Sequence, residues 1–385
     1  MRKKKEKAKT ALAVPQTAPR TDFAWAAADN SFEGEQPQAR LYYALRENVP
    51  VLDAAISKLV RLTGGFTIIC RDIRAQRELD RFSRMVPVSG NQVGLTQFIA
   101  AFFDQLLTCG TAIGEIVTDD ADEAAALYIP PLSSISLRRA KNELNVEILR
   151  REANGKFQSP REPELLLLSV LNPVPGELYG RSLLKGLPFV SGILMQIFRT
   201  IGTNWERLGN LRFAVSYKPQ NDTLDRALAK ERAEQIAQQW GEAMRGGTVK
   251  DFVSVGDVQI RVIGAENQIL DSDVPVRQIL EQIVAKTGLP PFLLGFSWSS
   301  TERMSAQQAD ILTSELEAYR RILTPVIERI CHTVLARRGM DCALEVEWDD
   351  ITLQDQVEIA RAALYEAQAN KVRNQALGER MQGEN

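Results

Sequence analysis

The chain has 385 residues, of which 44% are hydrophobic and 25% are charged, and its formal net charge at pH 7 is −2. This length predicts two or three modules, and the nearly neutral charge argues against a conventional tight nucleic-acid binder, which usually carries a basic surplus. No apolar run reaches the roughly 18 residues that a membrane span needs, and the basic start MRKKKEKAK lacks the apolar segment of a secretory signal.

The first predicted element is an N-terminal arm. Residues 1–35 are basic at first and then rich in Ala, Pro and Thr, a composition typical of disordered chain. Two interpretations stay open for this arm: it is a free terminus, or it anchors the protein to a partner or to nucleic acid.

The next part of the chain has the pattern of one α+β domain. Residues 41–62 read as helix, and Pro50 begins a new helical segment there. Residues 66–71 form a short predicted strand, and residues 94–109 form a predicted buried helix that ends at Gly110. Five further strands are rich in β-branched and aliphatic residues and are separated by Asp, Gly and Asn turns; they cover residues 112–117, 125–130, 134–139, 144–150 and 165–170.

Beyond this domain the pattern becomes mainly helical. A long helix over 188–208 leads into a small α/β insert at 209–271, with predicted strands at 211–218, 252–256 and 259–264 around a charged helix at 223–244. A second helix follows at 274–288, capped by Asp271 or Ser272. The last predicted elements are a helix over 302–338 that Pro325 kinks or restarts, a strand at 343–350 and a polar helix at 353–377.

Few residues are equipped for catalysis. The one histidine, His332, lies in a predicted helix beside Cys331, and adjacent helix positions do not face each other, so we expect a structural histidine. The four cysteines have no metal or redox spacing, and we expect reduced core thiols in a cytosolic setting; they are Cys70, Cys109, Cys331 and Cys342.

Three loop motifs invite a chemical role and lack its full pattern. The segment Gly176–Ser182 lacks the spacing and the lysine of a phosphate-binding loop, and we expect a turn in which Gly180 supplies backbone freedom. Asp119, Asp120, Asp122 and Glu123 lack the spacing of a calcium loop and predict a solvated turn. Asp350 is expected to cap the following helix. We therefore predict no metal site, no cofactor and no catalytic residue.

The most informative stretch is GLPPFLLGFSWSSTERMSAQQ, residues 288–308. A short loop of small polar residues with two aromatics stands between two predicted helices, and it contains no acid–base group. Such a loop either packs into its own core or contacts a ligand, because aromatics and small hydroxyls can touch nucleic acid without strong charge. The predicted contact residues are Phe296, Ser297, Trp298, Ser299, Ser300, Thr301 and Arg303.

The order of the elements resembles the portal proteins of tailed bacteriophages over about residues 40–370. The resemblance is carried by NPVPGELYGRSLL (172–184), IGTNWERLGNLRFAVSYK (201–218) and ILEQIVAKTGLPPFLLG (279–295). Gln307-Gln308, Pro325 after ILT, and LEVEWDDITLQD (344–355) complete it. The order of elements and the G-x-P-P-x-x-x-G signature are more specific than any single motif.

The resemblance implies a portal-type α+β fold with defined parts. After the disordered basic arm, these parts are an α+β wing (36–187), stem helices (188–208 and 272–288), a small α/β clip (209–271), a tunnel loop (289–302), a long wing/crown helix (303–338) and a helical crown (339–385).

The same resemblance implies a structural role without catalysis. Portal proteins form a ring, dodecameric in the virion, at one capsid vertex, through which double-stranded DNA is packaged by the terminase and later ejected. The implied partners are other copies of the chain, double-stranded DNA, the terminase large subunit, the major capsid protein, and head-completion or adaptor proteins; no membrane is involved. Assembly would take place in the host cytoplasm. A ring with few cations near the loop would let the duplex slide, because many Lys and Arg contacts would hold it.

The clip helix over 225–245 alternates charges with a stripe of Ala, Ile and Trp. This stripe packs the helix within the clip or against a neighbouring subunit, and Lys230 and Glu234 are predicted to face the docked terminase. Two alternative functions stay open from the sequence: a non-catalytic monomeric scaffold or adaptor, and a metal-dependent hydrolase that uses the acidic clusters.

Overall fold

The computed structural model describes residues 15–17, 37–120, 122–142, 145–152, 154–209, 212–218, 228–245, 257–263, 272–296 and 302–351. The chain divides into two compact units, one formed by Met1–Ser191 with Glu281–Asn385 and the other by Gly192–Leu280. Among the described helices, none combines the length and the apolar character that crossing a bilayer requires.

Seven of the eight described helices correspond to predicted helices, and the third was not predicted. In chain order they are α1 (Pro37–Asn48), α2 (Pro50–Leu62), α3 (Ile73–Met85), α4 (Leu95–Cys109), α5 (Leu187–Gly209), α6 (Ala229–Arg245), α7 (Asp273–Thr287) and α8 (Glu302–Arg337). Pro50 is the first residue of α2, where its missing N–H has no intrahelical partner to lose. Pro325 lies inside α8, which continues through it, so the predicted restart there is not found.

The described strands of the first unit are β1 (Phe66–Cys70), β2 (Pro87–Val88), β3 (Gln92–Val93), β4 (Thr111–Thr118), β5 (Ala124–Tyr128), β6 (Ile135–Arg139), β7 (Val146–Arg151), β8 (Phe157–Gln158), β9 (Leu166–Val170) and β12 (Leu344–Trp348). The second unit contributes β10 (Arg212–Lys218) and β11 (Asp257–Ile263). All five strands predicted between residues 112 and 170 are present, whereas α3, β2, β3 and β8 were not predicted.

The core of the first unit lies between α4 and a mixed sheet with the strand order β3-β2-β5-β4-β9. β4 runs antiparallel to both of its neighbours, and α4 packs on it through Phe98 and Phe102, which are fully buried. Gly114 on β4 leaves room for Phe98, because a Cβ there would stand 2.6 Å from the ring atom Cζ. The buried Gln105 side chain joins helix and strand: its Oε1 accepts from the Ile113 N–H at 2.9 Å.

A second, smaller sheet, β6-β7-β8, closes one side of this core. Ile113, Leu132, Ile135 and Leu137 form its hydrophobic cluster. Tyr179 packs against the cluster, and its hydroxyl accepts a hydrogen bond from the Leu137 N–H at 2.9 Å. The segment after β9 is thereby attached to both sheets.

The long helix α8 is joined to the sheet formed by β1 and β12. These strands pair antiparallel, with Phe66 opposite Trp348 and Cys70 opposite Leu344. Residues 344–348 therefore pair with a strand of the predicted wing, although the sequence places them in the crown. Crown residues 352–385 lie outside the described residues.

The prediction of four reduced cysteines is wrong for one pair. Cys70 and Cys342 form a disulfide, while Cys109 and Cys331 are free. The cause is the antiparallel pairing of β1 with β12, which brings Cys70 opposite Leu344 and so close to Cys342. No local spacing could reveal this pair, because the two cysteines are 272 residues apart in the sequence.

The predicted disordered arm contains one ordered segment. Residues 15–17 are described, and Thr17 is fully buried against the first unit. The prediction of disorder is therefore wrong for this segment, because its polar groups have buried hydrogen-bond partners in the first unit. The rest of the arm, residues 1–14 and 18–36, lies outside the described residues.

In the second unit, β10 and β11 pair antiparallel over their full length, from Arg212 opposite Ile263 to Lys218 opposite Asp257. α6 packs against β10. The strands predicted at 211–218 and 259–264 and the helix between them are therefore present. The strand predicted at 252–256 lies outside the described residues.

Candidate channel loop and clip surface

The polypeptide enters the predicted loop through a fixed helix end. α7 ends at Thr287, and Gly288 follows with a positive φ of 69°, a backbone conformation that glycine adopts without strain. The Gly288 N–H donates to the Val284 carbonyl at 3.0 Å. Leu289 is then almost fully buried, with an exposed fraction of 1%. The helix end and its first apolar residue together hold the start of the loop on the first unit.

A 3₁₀ turn over Pro291–Leu294 carries the chain onward and packs against α2. Its backbone is closed by three hydrogen bonds: Leu293 to Pro290 at 3.0 Å, Gly295 to Phe292 at 3.1 Å and Phe296 to Pro291 at 3.1 Å. The prolines limit φ, and Gly295 takes a left-handed φ of 83°. The residues of the G-x-P-P-x-x-x-G signature therefore shape the backbone that leads to the loop tip.

The structure places two of the seven predicted contact residues. Phe296 is half-buried at the end of the 3₁₀ turn, and Arg303 lies in the first turn of α8. The five between them, Ser297, Trp298, Ser299, Ser300 and Thr301, lie outside the described residues. Their contacts with DNA stay a prediction.

The helix that follows is anchored on one face. Ala309, Leu312 and Leu316 are buried, with exposed fractions of 5%, 1% and 0%. On another face, Met304 and Ile311 are exposed by 48% and 64%. The three buried residues are three, four and seven positions apart, which places them on one side of the helix. The two exposed residues are seven positions apart and lie on another side. The loop is therefore bounded by elements that pack into the first unit.

In the second unit, the predicted clip residues lie on the surface of α6. The Lys230 ammonium and the Glu234 carboxylate form an ion pair with a nitrogen–oxygen distance of 4.0 Å, and their side chains are 89% and 70% exposed. An exposed pair one helical turn apart contributes only about 0.3–0.5 kcal/mol. Both groups are thus accessible to a partner, and their role in docking is a prediction.

The acidic cluster at 119–123 forms a turn, as predicted. The Asp119 carboxylate accepts from the Glu123 N–H at 2.9 Å, and the Asp122 N–H donates to the Asp119 carbonyl at 3.0 Å. Two arginines at the end of α8 pair with this turn, Arg337 with Asp122 and Arg338 with Glu123. Across the described ranges, no group of three or more His, Cys, Asp or Glu side chains could hold a metal ion.

His332 and Cys331 lie on different sides of α8. Cys331 is fully buried, and burial raises the pKa of its thiol to about 12, whereas His332 is exposed. A thiol with this pKa is almost entirely protonated near neutral pH and is a poor nucleophile. The two neighbours therefore cannot act as a nucleophile and its base.

One buried ionisable site was missed from the sequence. Glu115 lies on β4 with an exposed fraction of 2% and accepts hydrogen bonds from Gln16 and Thr17. Burial raises the pKa of the Glu115 carboxyl above its usual 4.5, while the hydrogen bonds from Thr17 and Gln16 and the Arg150 charge oppose this rise. The signal was a carboxylate within the apolar strand AIGEIV, a position where an unpaired charge is costly.

Comparisons with known proteins identify the fold. No protein-family model matches the chain, and no curated protein matches it. A chain from the neck of a native gene transfer agent (GTA) particle, computed with C12 symmetry, is similar with a TM-score of 0.61 and 16% identity, over 87% of this chain and 89% of that one. A chain from the virion of the native gene transfer agent particle gives 0.60 and 16%, over 89% and 92%.

An HK97 family phage portal protein from Corynebacterium diphtheriae is 13% identical over 79% of this chain and 93% of that one, with a TM-score of 0.41, too low to argue a shared fold. The similarity to the neck and virion chains extends over most of the length of this chain and of each of those chains. It shows that this chain has the fold of those neck and virion chains, and it confirms the predicted α+β class.

Proposed function

We propose that this chain is a portal subunit. Copies of it form a ring, a dodecamer in the particle, at one capsid vertex, and double-stranded DNA enters and leaves through the ring's channel. The observation that supports this most is the fold shared, over 87% of the chain, with a component of a particle neck computed with C12 symmetry. We further propose that the ring catalyses no reaction and binds no cofactor, and that the major capsid protein surrounds it.

Exposed aromatic residues on α5 support assembly. Phe198 and Trp205 are 52% and 64% exposed in the single chain. They are seven positions apart, so they lie on the same side of the helix two turns from each other. Large apolar groups in such a row mark surfaces that a partner covers, and a neighbouring copy in the ring is the proposed partner.

Mass measurement by light scattering, together with negative-stain imaging, tests the ring. The expected result is a closed oligomer with a central hole. Phe198→Glu and Trp205→Glu should lower the oligomer mass while the far-ultraviolet circular dichroism stays unchanged. Thr203→Glu is the matched control, because Thr203 is exposed on another side of the same helix. A stable monomer of the parent chain at micromolar concentration would instead favour the scaffold or adaptor alternative.

The loop after Gly295 is proposed to line the narrowest part of the channel. Phe296, Ser297, Trp298, Ser299, Ser300 and Thr301 would face the DNA, with Arg303 behind them. This proposal rests on the sequence of the loop and on its anchored flanks, the 3₁₀ turn and α8. A surface of aromatics and hydroxyls with one nearby cation would contact the duplex and would not hold it by counterion release.

The double variant Phe296→Ala with Trp298→Ala tests the loop. Rings should still assemble, and the length of DNA packaged or retained should change. Phe292→Ala is a suitable control, because Phe292 is a partly exposed aromatic of the preceding 3₁₀ turn. DNA binding by the isolated ring should depend only weakly on salt. A steep salt dependence, or normal packaging by the double variant, would exclude the loop from the mechanism.

The clip is proposed to bind the terminase large subunit during packaging and the head-completion or adaptor proteins afterwards. The exposed charges of Lys230 and Glu234 support this assignment. Lys230→Glu and Glu234→Lys should each impair packaging in rings of normal mass. The double exchange restores an ion pair on α6 but reverses its direction, so it separates helix stability from partner recognition. If the single and double variants all package DNA normally, Lys230 and Glu234 do not bind the terminase.

A further inference from the structure

The pocket around Glu115 is occupied by a short segment of the arm. The Gln16 N–H donates to Glu115 Oε1 at 2.6 Å, and the Thr17 N–H donates to Oε2 at 2.9 Å. The Thr17 hydroxyl also donates to Oε2. One carboxylate therefore binds two consecutive backbone N–H groups and a side-chain hydroxyl, and such charge-assisted hydrogen bonds are stronger than neutral ones.

The Gln16 side chain and carbonyl add a second set of contacts. Its Nε2 donates to the Glu162 carbonyl at 3.1 Å, and its Oε1 accepts from the Glu162 N–H at 3.3 Å. The Arg150 guanidinium donates to the Gln16 carbonyl at 2.5 Å. A side-chain amide donates through its nitrogen and accepts through its oxygen, so both ends of the Gln16 amide are paired with the Glu162 backbone.

The burial of both partners argues that this contact is a specific binding site and not a chance encounter. Thr17 is fully buried, although it belongs to a segment with no regular secondary structure. A buried carboxylate without partners is strongly disfavoured, and the segment supplies three of the donors that Glu115 accepts from. The segment and the carboxylate therefore stabilise each other's burial.

We propose that the Glu115 pocket is a docking site for a short peptide segment, and that its occupant is the segment Pro15–Thr17 of the same chain. Docking anchors the basic start of the chain to the first unit. Residues 2–9 contain six Lys or Arg side chains, and the short connection keeps Lys9 within roughly 20 Å of Pro15 at full extension. The near end of the basic cluster is therefore held close to this pocket, and its far end, Arg2, can reach roughly 45 Å from Pro15.

Hydrogen exchange of the full chain, read by mass spectrometry on peptides covering residues 12–20, tests the docking. The amides of Gln16 and Thr17 should exchange at least about tenfold more slowly than in an unstructured peptide. Thr17→Val and Gln16→Ala should remove most of this protection. Thr10→Val, a threonine of the same arm outside the docked segment, should leave it unchanged.

A variant of the pocket completes the test. Glu115→Gln keeps the size of the side chain and removes its charge, and it should also release the segment while the amides of α4 stay protected. If this variant does not fold, the arm variants still decide the question, because they leave the pocket residues intact. Unprotected amides at 16 and 17 in the parent, or protection that persists in Thr17→Val, would overturn the proposal.

Cross-linking identifies which chain supplies the segment. Pro15 and Ser159 line one cavity of about 540 Å³, so cysteines introduced at both positions should be joined by a short bifunctional maleimide. The expected product is a single chain in which the two cysteines are joined, identified as a linked peptide pair by mass spectrometry of the digested protein, and either single variant should give none. Products of two or more chains would show that a second copy supplies the segment, which would overturn the same-chain assignment. This outcome does not depend on whether the proposed ring forms.

Discussion

Replacing Gly180 by alanine should strongly destabilise the first unit, because three backbone segments meet there. A Cβ at this position would stand 2.0 Å from the Gly110 carbonyl oxygen and 2.5 and 2.6 Å from the Leu171 backbone nitrogen and oxygen. These are the atoms of two hydrogen bonds: Leu171 N–H to Gly110 at 2.8 Å, and Arg181 N–H to Leu171 at 2.7 Å. The methyl group therefore forces apart the chain reversal after α4 and the segment that follows β9.

The expected cost follows from these contacts. Overpacking a filled site costs about 1–3 kcal/mol, and the loss of each backbone hydrogen bond adds about 0.5–1.5 kcal/mol. Alanine also lowers the conformational entropy of the unfolded chain, which offsets about 0.4–1 kcal/mol of this destabilisation. A decrease of roughly 1–5 kcal/mol in the free energy of unfolding is the net expectation.

Urea unfolding followed by circular dichroism measures this change, with Gly202→Ala as the control. Gly202 lies inside α5, and a Cβ there would meet nothing within 4 Å. Alanine should therefore raise the free energy of unfolding by about 0.5–1 kcal/mol at this position. If Gly180→Ala unfolds at the same urea concentration as the parent chain, the close approach of the backbone does not constrain this site.

Two further predictions concern the long helix and the thiols. The Arg320 guanidinium donates to the Thr63 carbonyl at 2.9 and 2.7 Å and lies 5.1 Å from the ring centre of Trp348; Arg320→Ala should lower the free energy of unfolding by about 2–3 kcal/mol, and Arg320→Lys by less, in the same urea assay. Burial raises the pKa of both Cys109 and Cys331 to about 12, so a thiol reagent at pH 8 should find neither in the native chain and react faster as the pH rises. Denatured protein should present two thiols before reduction and four after it, and four before reduction would exclude the disulfide.

Local signals account for most of what the sequence predicted correctly. Pro50 marks the start of α2, and Gly110 ends α4 with a left-handed φ of 79°. Helix α3 was missed, although its signals were present: Ala75, Leu79 and Phe82 form its buried face, and the Asp72 side chain caps its start by accepting from the Arg74 N–H at 2.9 Å. The many charges of this helix obscured its narrow apolar stripe.

Contacts between distant residues could not be predicted in this way. The pairing of β1 with β12 and the hydrogen bonds of Glu115 with the arm join parts of the chain that carry no common pattern; Gln16 and Glu115 are 99 positions apart. Gly180 shows the same limit at one residue. The sequence predicted that Gly180 supplies backbone freedom, but its φ is not positive. A glycine is required there because neighbouring backbone atoms leave no room for a Cβ.

The candidate loop was predicted from its position between two helices and from its small polar and aromatic residues, and the structure describes mainly the segments that flank it. In the signature around residues 288–295, two glycines take positive φ values and two prolines restrict the backbone before the 3₁₀ turn. Such residues are specified by backbone geometry, whereas the alignment as a whole is only 16% identical to a neck chain of the same fold. The small polar residues of the predicted loop tip lie outside the described residues, and their contact with DNA stays a prediction. The resemblance therefore reports the scaffold, and the Phe296 and Trp298 variants are needed to assign the contact with DNA.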